Sequence, residues 1–579
     1  MSLRMQARLR CLRSVCVIGL GLLTGAAQGQ SHGVADPALA GLLPGYPAVA
    51  AGVPADSDVL FSPRFDRPEA LAAAQAFAAT RLVWSYVPPG LNQARLRALV
   101  GGRFGGTLNN NQAIPGHAGA ALDFEGQPII APWMKSWGAI WNSCARPATM
   151  QALKTSIDSQ AAAGIAQMQF DDAGMQFDSA FWNVGDLSDD SQKGFGRWLQ
   201  QRADRGERLA LTPAQGSDYR QYLASTHGVR DTDDYVRRSA QFPSTPLWRE
   251  YLRETVDACL GQVRQWLRVA AGPEVALSVN LYTPYPWAHN RFQLRHADYV
   301  LGEVSPERAQ AHHLLLFAQS LRSEGKRWAV VFQARDPAFL RRRVALAYAA
   351  GAVPVVPWDS FVPGDGKAAP TRHFGRVEDS GDLFRFVRDR PGLFEGWELL
   401  SRLTVLLPTD PAQPNRIDEQ LQRLVDAQVP FAVSLLPAAS PPRRLSASHP
   451  HWLAGAVRGG TPAATPLLAA QGPAALAELA TTSAVSEGWT VWVKGQSQRP
   501  GVRVVHLIPD DKARASPQLT LKTWVLPPAA RYEVVVHQPG VETSARSPVA
   551  VRPDGTLSLS LELARPGTWT VLEIKALAD

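Results

Sequence analysis

The stretch Gly164-Ile165-Ala166-Gln167-Met168-Gln169-Phe170-Asp171-Asp172 decides the fold. Its first seven residues are typical of a buried strand, and a helix-like segment at 148–163 stands directly before them. Two adjacent carboxylates at the end of a buried strand are costly to desolvate unless they are used. Where strands and helices alternate, active sites collect at the carboxyl ends of the strands. The stretch therefore predicts an α/β protein with a site at Asp171 and Asp172.

The same alternation of strand and helix runs from about residue 80 to about residue 360 and indicates parallel βα units. A (β/α)₈ TIM barrel needs eight strands and roughly 250 residues. The chain offers that number of strands in a comparable span, so we expect such a barrel at 76–398. The candidate strands are 81–87, 104–108, 128–133, 165–170, 275–281, 299–304, 328–332 and 353–358.

Helix boundaries and one long connection support this division. Asp336 is placed to cap a helix at 337–350, which ends at Gly351. The connection between the fourth and fifth strands contains helices at 191–202 and 247–270 and a polar insertion at 205–241. Long loops on one rim are typical of a substrate-binding face.

The chain on either side of the barrel has a different composition. Residues 1–29 carry four arginines, then a short apolar run, then small residues, which is the pattern of a secretory signal peptide. We expect a secreted or periplasmic protein without membrane insertion after cleavage. An N-terminal extension at 30–75 precedes the barrel, and a small α/β segment at 399–440, a Pro/Ala-rich connector at 441–486 and a C-terminal β-sandwich at 487–579 follow it.

Charge and cysteine content limit which partners and which cysteine pairings the sequence allows. The formal charge is +8, but the leader supplies four of the arginines and no acid, and basic residues are dispersed along the rest. This pattern excludes a nucleic-acid footprint. Cys144 and Cys259 are the two cysteines outside the leader, and they either pair in an oxidising compartment or remain buried thiols. The oligomeric state is left open.

Side chains at the predicted strand ends are those of a sugar-binding site. Carboxylates transfer protons and attack the sugar, amides bond hydroxyl groups, and flat rings stack on the apolar face of a pyranose. Glycoside hydrolysis needs two carboxyl groups that flank one bond. Asp171 and Glu303 lie on strands two apart around the barrel, so we expect Asp171 as nucleophile and Glu303 as general acid/base.

The remaining strand-end residues are expected to bind a carbohydrate substrate, without a cofactor or a metal ion. Asp172 and Asp359 would orient hydroxyl groups or tune pKa values. Strand alternation favours only one of Asp171 and Asp172 pointing inward, so their order could be reversed. The full substrate-binding set is Asp172, Asp359, Trp133, Trp358, Asn280, Tyr282 and Trp84.

Two segments carry a resemblance to a known family. The segment 163–200, with Gly194-Phe195-Gly196-Arg197-Trp198-Leu199 after its acidic strand end, resembles secreted barrel glycoside hydrolases of the beta-galactosidase-like kind. Val356-Pro357-Trp358-Asp359, with Phe384-Arg385-Phe386-Val387-Arg388 downstream, looks like glycosyl hydrolases of polysaccharide-degrading bacteria. The resemblance covers about 75–435 and implies a barrel with accessory domains that acts on a glycan.

The sequence departs from that family at the strand ends. The large retaining clan carries its glutamates on strands four and seven and usually shows Asn-Glu on the fourth strand. This chain has Asp171-Asp172 on the fourth strand, and the seventh strand of this chain ends in Gln333. An Asp after an aromatic on strand four, as in Phe170-Asp171, is similar to the alpha-galactosidase clan. Gln333 motivates an alternative hypothesis, a glycan-binding protein on a degenerate barrel. A polysaccharide lyase or deacetylase is a further alternative.

Overall fold

The computed structural model describes residues 39, 42–64, 67–86, 93–111, 114–282, 284–362, 371–411, 414–436, 451–453, 473–513, 516–541 and 545–577. The predicted signal peptide and most of the predicted Pro/Ala-rich connector lie outside these residues. Within them, no helix has both the length and the apolar character needed to cross a membrane.

A parallel sheet of six strands forms the centre of the chain, and apolar residues hold most of its buried positions. Neighbouring strands in this sheet follow each other along the chain, as consecutive βα units require. The strands are β3 (Gly105–Asn109), β4 (Gln167–Asp171), β5 (Ala276–Asn280), β6 (Tyr299–Val304), β7 (Arg327–Phe332) and β8 (Val353–Pro354).

Two short strands, β1 (Leu60–Phe61) and β2 (Arg81–Leu82), pair in parallel with each other. Single parallel bridges connect this pair to both edges of the six-stranded sheet, between Leu60 and Val355 and between Leu82 and Phe104. Backbone hydrogen bonds support both junctions, since Val356 N donates to Leu60 O at 2.7 Å and Leu82 N donates to Arg103 O at 3.0 Å.

The structure corrects one predicted strand. Residues 128–133 do not join the parallel sheet: Pro128 bridges Leu122 in antiparallel fashion, and Pro132–Trp137 is a 3₁₀ helix. The two prolines lack the N–H groups that a central strand must donate, which explains why this apolar stretch is not a strand. The other seven predicted strands each overlap an observed one. Leu60–Phe61 is the eighth of the parallel strands β1–β8, and the sequence did not predict it.

Helices cover the outside of the sheet. Asp336 caps the helix Pro337–Ala350 as predicted, because its side chain accepts a hydrogen bond from Phe339 N at 2.9 Å. The polar insertion is itself helical. The helices are α1 (Glu69–Ala76), α2 (Gln93–Leu99), α3 (Pro147–Ala162), α4 (Met175–Ser179), α5 (Asp189–Asp204), α6 (Pro213–Ser217), α7 (Tyr219–His227), α8 (Thr232–Arg238), α9 (Thr245–Ala271), α10 (Ala311–Arg322), α11 (Pro337–Ala350), α12 (Val377–Asp389), α13 (Pro414–Asp426) and α14 (Pro473–Leu479).

Four further sheets lie beyond β8. A hairpin of β9 (Ser360–Val362) and β10 (Thr371–His373) follows it directly. A three-stranded parallel sheet, in the order β13-β12-β14, packs against α10. Two antiparallel sheets, in the orders β11-β16-β17-β22-β19-β20 and β15-β18-β21, share one apolar core. Their strands are β11 (Glu398–Leu399), β12 (Thr404–Pro408), β13 (Ala432–Leu436), β14 (His451–Leu453), β15 (Thr482–Val485), β16 (Trp489–Gly495), β17 (Val502–Pro509), β18 (Gln518–Leu521), β19 (Arg531–His537), β20 (Ala545–Ala550), β21 (Leu557–Ser560) and β22 (Thr570–Ala576).

Cys144 and Cys259 are two buried free thiols in this structure. The thiol of Cys144 donates to Gln176 Oε1 at 3.3 Å, and Cys259 Sγ lies 3.5 Å from Met150 Sδ. The second of the two alternatives left open by the sequence therefore describes the structure.

A buried lysine lies where the C-terminal sheet meets α11. Lys494, on β16, donates from Nζ to Tyr348 O at 3.0 Å. Burial, together with the nearby charges of Arg322 and Arg327, lowers the pKa of Lys494 to about 7. The folded protein therefore releases a proton near neutral pH that the unfolded chain keeps until about pH 10.4.

We expect Lys494→Met to remove one component of the pH dependence of stability. Between pH 7 and pH 10 the unfolded chain binds more protons than the folded one at this residue, so stability gains about 1.4 kcal/mol per pH unit from it. In denaturant unfolding from pH 7 to pH 9, the free energy of unfolding of the wild-type protein should rise relative to that of the variant with that slope. Lys193→Met, on the exposed face of α5, is the matched control and should run parallel to wild type.

Candidate functional site

Asp171 is the last residue of β4, and donors at the end of β5 and beyond β2 hold its carboxylate. Asn280 Nδ2, from the end of β5, donates to Asp171 Oδ1 at 2.7 Å. The hydroxyl of Tyr86, just beyond β2, donates to Oδ2. Each carboxylate oxygen therefore accepts one hydrogen bond from a different strand end. This arrangement fixes the orientation of the side chain at the mouth formed by the strand ends.

Asp172 follows in a left-handed backbone conformation. Its φ is +52°, a region that non-glycine residues adopt infrequently and aspartate more readily than most. Its carboxylate accepts a hydrogen bond from Asn111 Nδ2, on the β3 side of the mouth. Burial, and then the charge of Asp171, raise the pKa of Asp172 well above its ordinary value. The two adjacent carboxylates thus face different partners and different electrostatic surroundings.

Glu303 projects from β6 with 17% of its side chain exposed and forms an ion pair with Arg64. Arg64 Nη2 donates to Glu303 Oε1 at 2.9 Å. Burial raises the pKa of Glu303; Arg64 opposes that rise, and the charge of Asp171 adds to it. The Gln333 side chain also opposes that rise. Glu303 therefore shares one electrostatic environment with Asp171.

Three side chains from the ends of β1 and β2 connect the two carboxylates. The Arg64 guanidinium carbon lies 3.8 Å from the centre of the Trp84 ring. Trp84 Nε1 donates to Tyr86 OH at 2.7 Å, and Tyr86 in turn donates to Asp171. Trp84 has φ +53° and is only 2% exposed, so its ring supports these groups from below and presents no open face.

The other predicted aromatic residues divide into exposed and buried ones. Trp133 is 43% exposed and meets Trp182 edge-on at a ring separation of 5.3 Å. Tyr282 is 51% exposed, and its hydroxyl lies 3.5 Å from Gln333 Oε1. Trp358 is buried and stacks on Phe61. Trp133 and Tyr282 therefore offer ring surface to a ligand, and Trp358 does not.

Asp359 is engaged by a neighbouring arginine. Both of its carboxylate oxygens accept hydrogen bonds from Arg372, on the hairpin strand β10, and its side chain has no exposed surface. This bidentate ion pair attaches the β9-β10 hairpin to the end of β8.

Arg64 is the residue that sequence reasoning missed. It was assigned to the N-terminal extension, because β1 is only two residues long and gives no extended apolar pattern. The sequence did contain a signal for this strand, because Val59-Leu60-Phe61 is a short apolar run. Arg64 follows that run by three residues, where residues at the carboxyl end of a strand are found. Among the described residues, no group of three or more histidine, cysteine, aspartate or glutamate side chains is placed to hold a metal ion.

Solved structures share this architecture along nearly the whole chain. A beta-galactosidase from Bacillus circulans sp. alkalophilus superposes with a TM-score of 0.54 at 12% identity, over 92% of this chain and 99% of that one. The chain has the fold of the beta-galactosidase-like glycoside hydrolases.

Two further structures agree. An alpha-L-fucosidase from Paenibacillus thiaminolyticus gives a TM-score of 0.57 at 10% identity, covering 90% of this chain and 100% of that one. A beta-galactosidase from Rahnella sp. R3 gives 0.53 at 11% identity, covering 92% and 100%. At the level of sequence, the chain matches no protein-family model and no curated protein. The resemblance predicted from the sequence is thus confirmed for the fold.

Proposed function

We propose that the protein is a secreted glycoside hydrolase that cleaves a poly- or oligosaccharide with retention of configuration. The observation that carries this proposal is the pair of carboxylates at one mouth. Asp171 is held between two donors, and Glu303 lies close enough for the charge of Asp171 to raise its pKa. The shared fold of glycoside hydrolases supports the reaction class, and the pattern of residues 1–29 supports secretion.

We further propose that β1–β8 form a closed (β/α)₈ barrel. The bridges at Leu60–Val355 and Leu82–Phe104 support closure, because they connect the β1-β2 pair to both edges of the six-stranded sheet. The barrel would then begin before residue 76. The two antiparallel sheets that share one core support a C-terminal β-sandwich at about 487–579.

In the proposed reaction Asp171 attacks the anomeric carbon while Glu303 protonates the departing oxygen. Glu303 then removes a proton from the water that releases the sugar from Asp171. Burial favours the protonated form of Glu303 needed in the first step, and the ion pair with Arg64 favours the ionised form needed in the second. Both states are therefore accessible to one side chain.

Substrate contacts are proposed for the exposed and polar groups of the mouth. Asp172 and Asn280 would bond sugar hydroxyls, and Trp133 and Tyr282 would stack on sugar rings. Trp84, Trp358 and Asp359 were also expected from the sequence as contacts. Because they are buried, we propose that they act through the residues they touch, Arg64, Phe61 and Arg372.

We expect Arg64→Gln to shift the loss of activity at alkaline pH, the basic limb of the pH profile, to higher pH. Activity falls when Glu303 loses the proton it must donate, and Arg64 lowers the pKa of that carboxyl. Without the guanidinium the pKa of Glu303 rises, so kcat/KM should persist to higher pH. Arg64→Lys keeps the charge and should shift the limb less. An unchanged limb in Arg64→Gln would remove Glu303 from the role of proton donor.

We expect Trp133→Ala to weaken substrate binding and spare the chemical step. Loss of an exposed ring that stacks on a sugar removes on the order of 1–2 kcal/mol, or about tenfold in KM, with kcat nearly unchanged. Steady-state kinetics on an oligosaccharide series measures both constants. An equal loss on substrates of every length, including the shortest, would place the ring at the cleavage point and not at a distal subsite.

Product analysis on a panel of aryl glycosides and polysaccharides tests the proposed function. We expect new reducing ends with at least one glycan and no absorbance from unsaturated sugars. Saturable binding without any release of reducing ends would instead identify a glycan-binding protein. Ultraviolet-absorbing products would identify a lyase.

A further inference from the structure

Among the described residues, the rim beyond β7 and β8 holds more arginines than acidic partners for them. Arg335 follows β7, Arg67 follows β1, and Arg372 lies on β10. Arg372 is paired with Asp359, and the nearby Arg376 is paired with Asp379 at 3.0 Å. Among the described residues, Arg67 and Arg335 form no ion pair with a carboxylate.

Asp336, which follows Arg335 in the chain, already has a hydrogen-bond partner. Asp336 accepts a hydrogen bond from Phe339 N as the cap of α11. Arg335 is exposed, and Nη2 contacts the hydroxyl of Thr371. A guanidinium has five N–H donors in a planar fork, and within the described ranges Arg335 uses one of its nitrogens, so the others can bind a ligand.

Phe374 places an aromatic face within this charged cluster. The guanidinium carbons of Arg67 and Arg372 lie 4.8 and 5.3 Å from the centre of its ring, and the ring is 38% exposed. Phe374 also meets the ring of Trp358 at 5.6 Å, at the end of β8. An exposed ring flanked by guanidinium groups combines a stacking surface with an anion-binding fork.

The cluster lies next to the proposed proton donor. Gln333 N donates to Val304 O, the neighbour of Glu303, at 3.0 Å, and the Cα of Arg335, two residues further along the chain, lies roughly 7 Å at most from that of Gln333. Because the proton donor faces the departing oxygen, this rim borders the leaving-group side of the cleavage point. Arg335 also lowers the pKa of His373, after burial, so its charge reaches the hairpin as well.

We propose that Arg67, Arg335 and Phe374 form a subsite for an anionic sugar, one that carries a carboxylate or a sulfate group, on the leaving-group side. The inference rests on the proposed glycosidase function for its position relative to the cleaved bond. The anion is bound by the guanidinium forks, and the sugar ring lies against Phe374. Each charge-assisted contact of this kind is worth about a factor of ten in affinity.

Affinity electrophoresis of the full-length protein tests the subsite. Asp171→Asn provides a background in which the polymers stay intact. One arm uses a uronic-acid polysaccharide and its carboxyl-reduced derivative, and the other uses a sulfated galactan and its desulfated form. We expect at least tenfold tighter binding to the acidic member of one pair, which also distinguishes carboxylate from sulfate. Added salt should weaken that preference.

Arg67→Gln and Arg335→Gln should each reduce the preference about tenfold. Arg268→Gln, an exposed arginine in the last turn of α9, makes the same charge change elsewhere and should retain it. Equal binding of acidic and neutral polymers, no binding of any acidic polymer, or a preference that survives the double substitution would overturn the subsite.

The failure of the subsite and the failure of the glycosidase proposal give different results. Cleavage of neutral glycans with no acidic preference leaves the hydrolase and removes the subsite. Arginine-dependent binding of an acidic polymer with no cleavage of any glycan by the wild-type protein leaves an anionic-glycan site and removes its assignment to a leaving group.

Discussion

Asp171→Asn should lose turnover by on the order of 10⁴-fold or more while the protein stays folded. An amide cannot attack the anomeric carbon to form a glycosyl ester, so the reaction loses its covalent route. Asparagine keeps the shape of the side chain and one acceptor oxygen for Asn280 or Tyr86. The measurement is kcat on the best substrate of the panel, with the thermal midpoint recorded in parallel.

Asp158→Asn is the matched control for this substitution. Asp158 is half exposed on α3 and pairs with Lys154, as an i,i+4 surface ion pair of small energetic value. It should retain wild-type turnover. If Asp171→Asn also retained full turnover, the assignment of Asp171 as nucleophile would be wrong.

Glu303→Gln should lose activity by about 10²–10⁴-fold on glycosides with poor leaving groups. Dinitrophenyl glycosides should be affected much less in the first step, because their leaving group needs no protonation. This dependence on the leaving group separates a missing proton donor from a general loss of structure. Added azide, which needs no general base, should restore release of the sugar as a glycosyl azide.

Glu307→Gln serves as the matched control for Glu303→Gln. Glu307 is exposed in the 3₁₀ turn after β6, and the change removes the same charge four residues further along the chain. It should leave the dependence on leaving group unchanged. A uniform loss in Glu303→Gln on all leaving groups, with no response to azide, would contradict its role.

The regular strands were predictable because their buried apolar runs alternate with helical segments along the chain. Predicted strand 299–304 coincides with β6, and Asp171 stands at the end of β4 as the acidic pair indicated. The two-residue strand β1 was harder to predict, since its one signal is the short apolar run Val59-Leu60-Phe61 and so short a segment carries no periodicity. The stretch 128–133 gave the opposite error, because apolar content alone outweighed the two prolines that prevent sheet pairing there.

Strand-end chemistry was predictable by residue type but not by direction. Asp171 and Asn280 were both expected at the mouth, and they meet at 2.7 Å. The burial of Trp84 and Trp358 depends on left-handed backbone and on long-range stacking with Arg64 and Phe61. A single sequence contains no local signal for either. An aromatic residue at a strand end is therefore equally consistent with a ring that stacks on a sugar and with a buried ring that packs against the site residues.

Trapping with a 2-deoxy-2-fluoro glycosyl fluoride is the most direct test of the two-carboxylate reaction. The fluorine slows release of the sugar, so a covalent intermediate accumulates on the nucleophile. We predict that the intact mass rises by one fluoroglycosyl group and that the peptide containing Asp171 carries it. Label on another side chain, or steady turnover of natural substrate by a protein that never becomes labelled, would contradict the proposal.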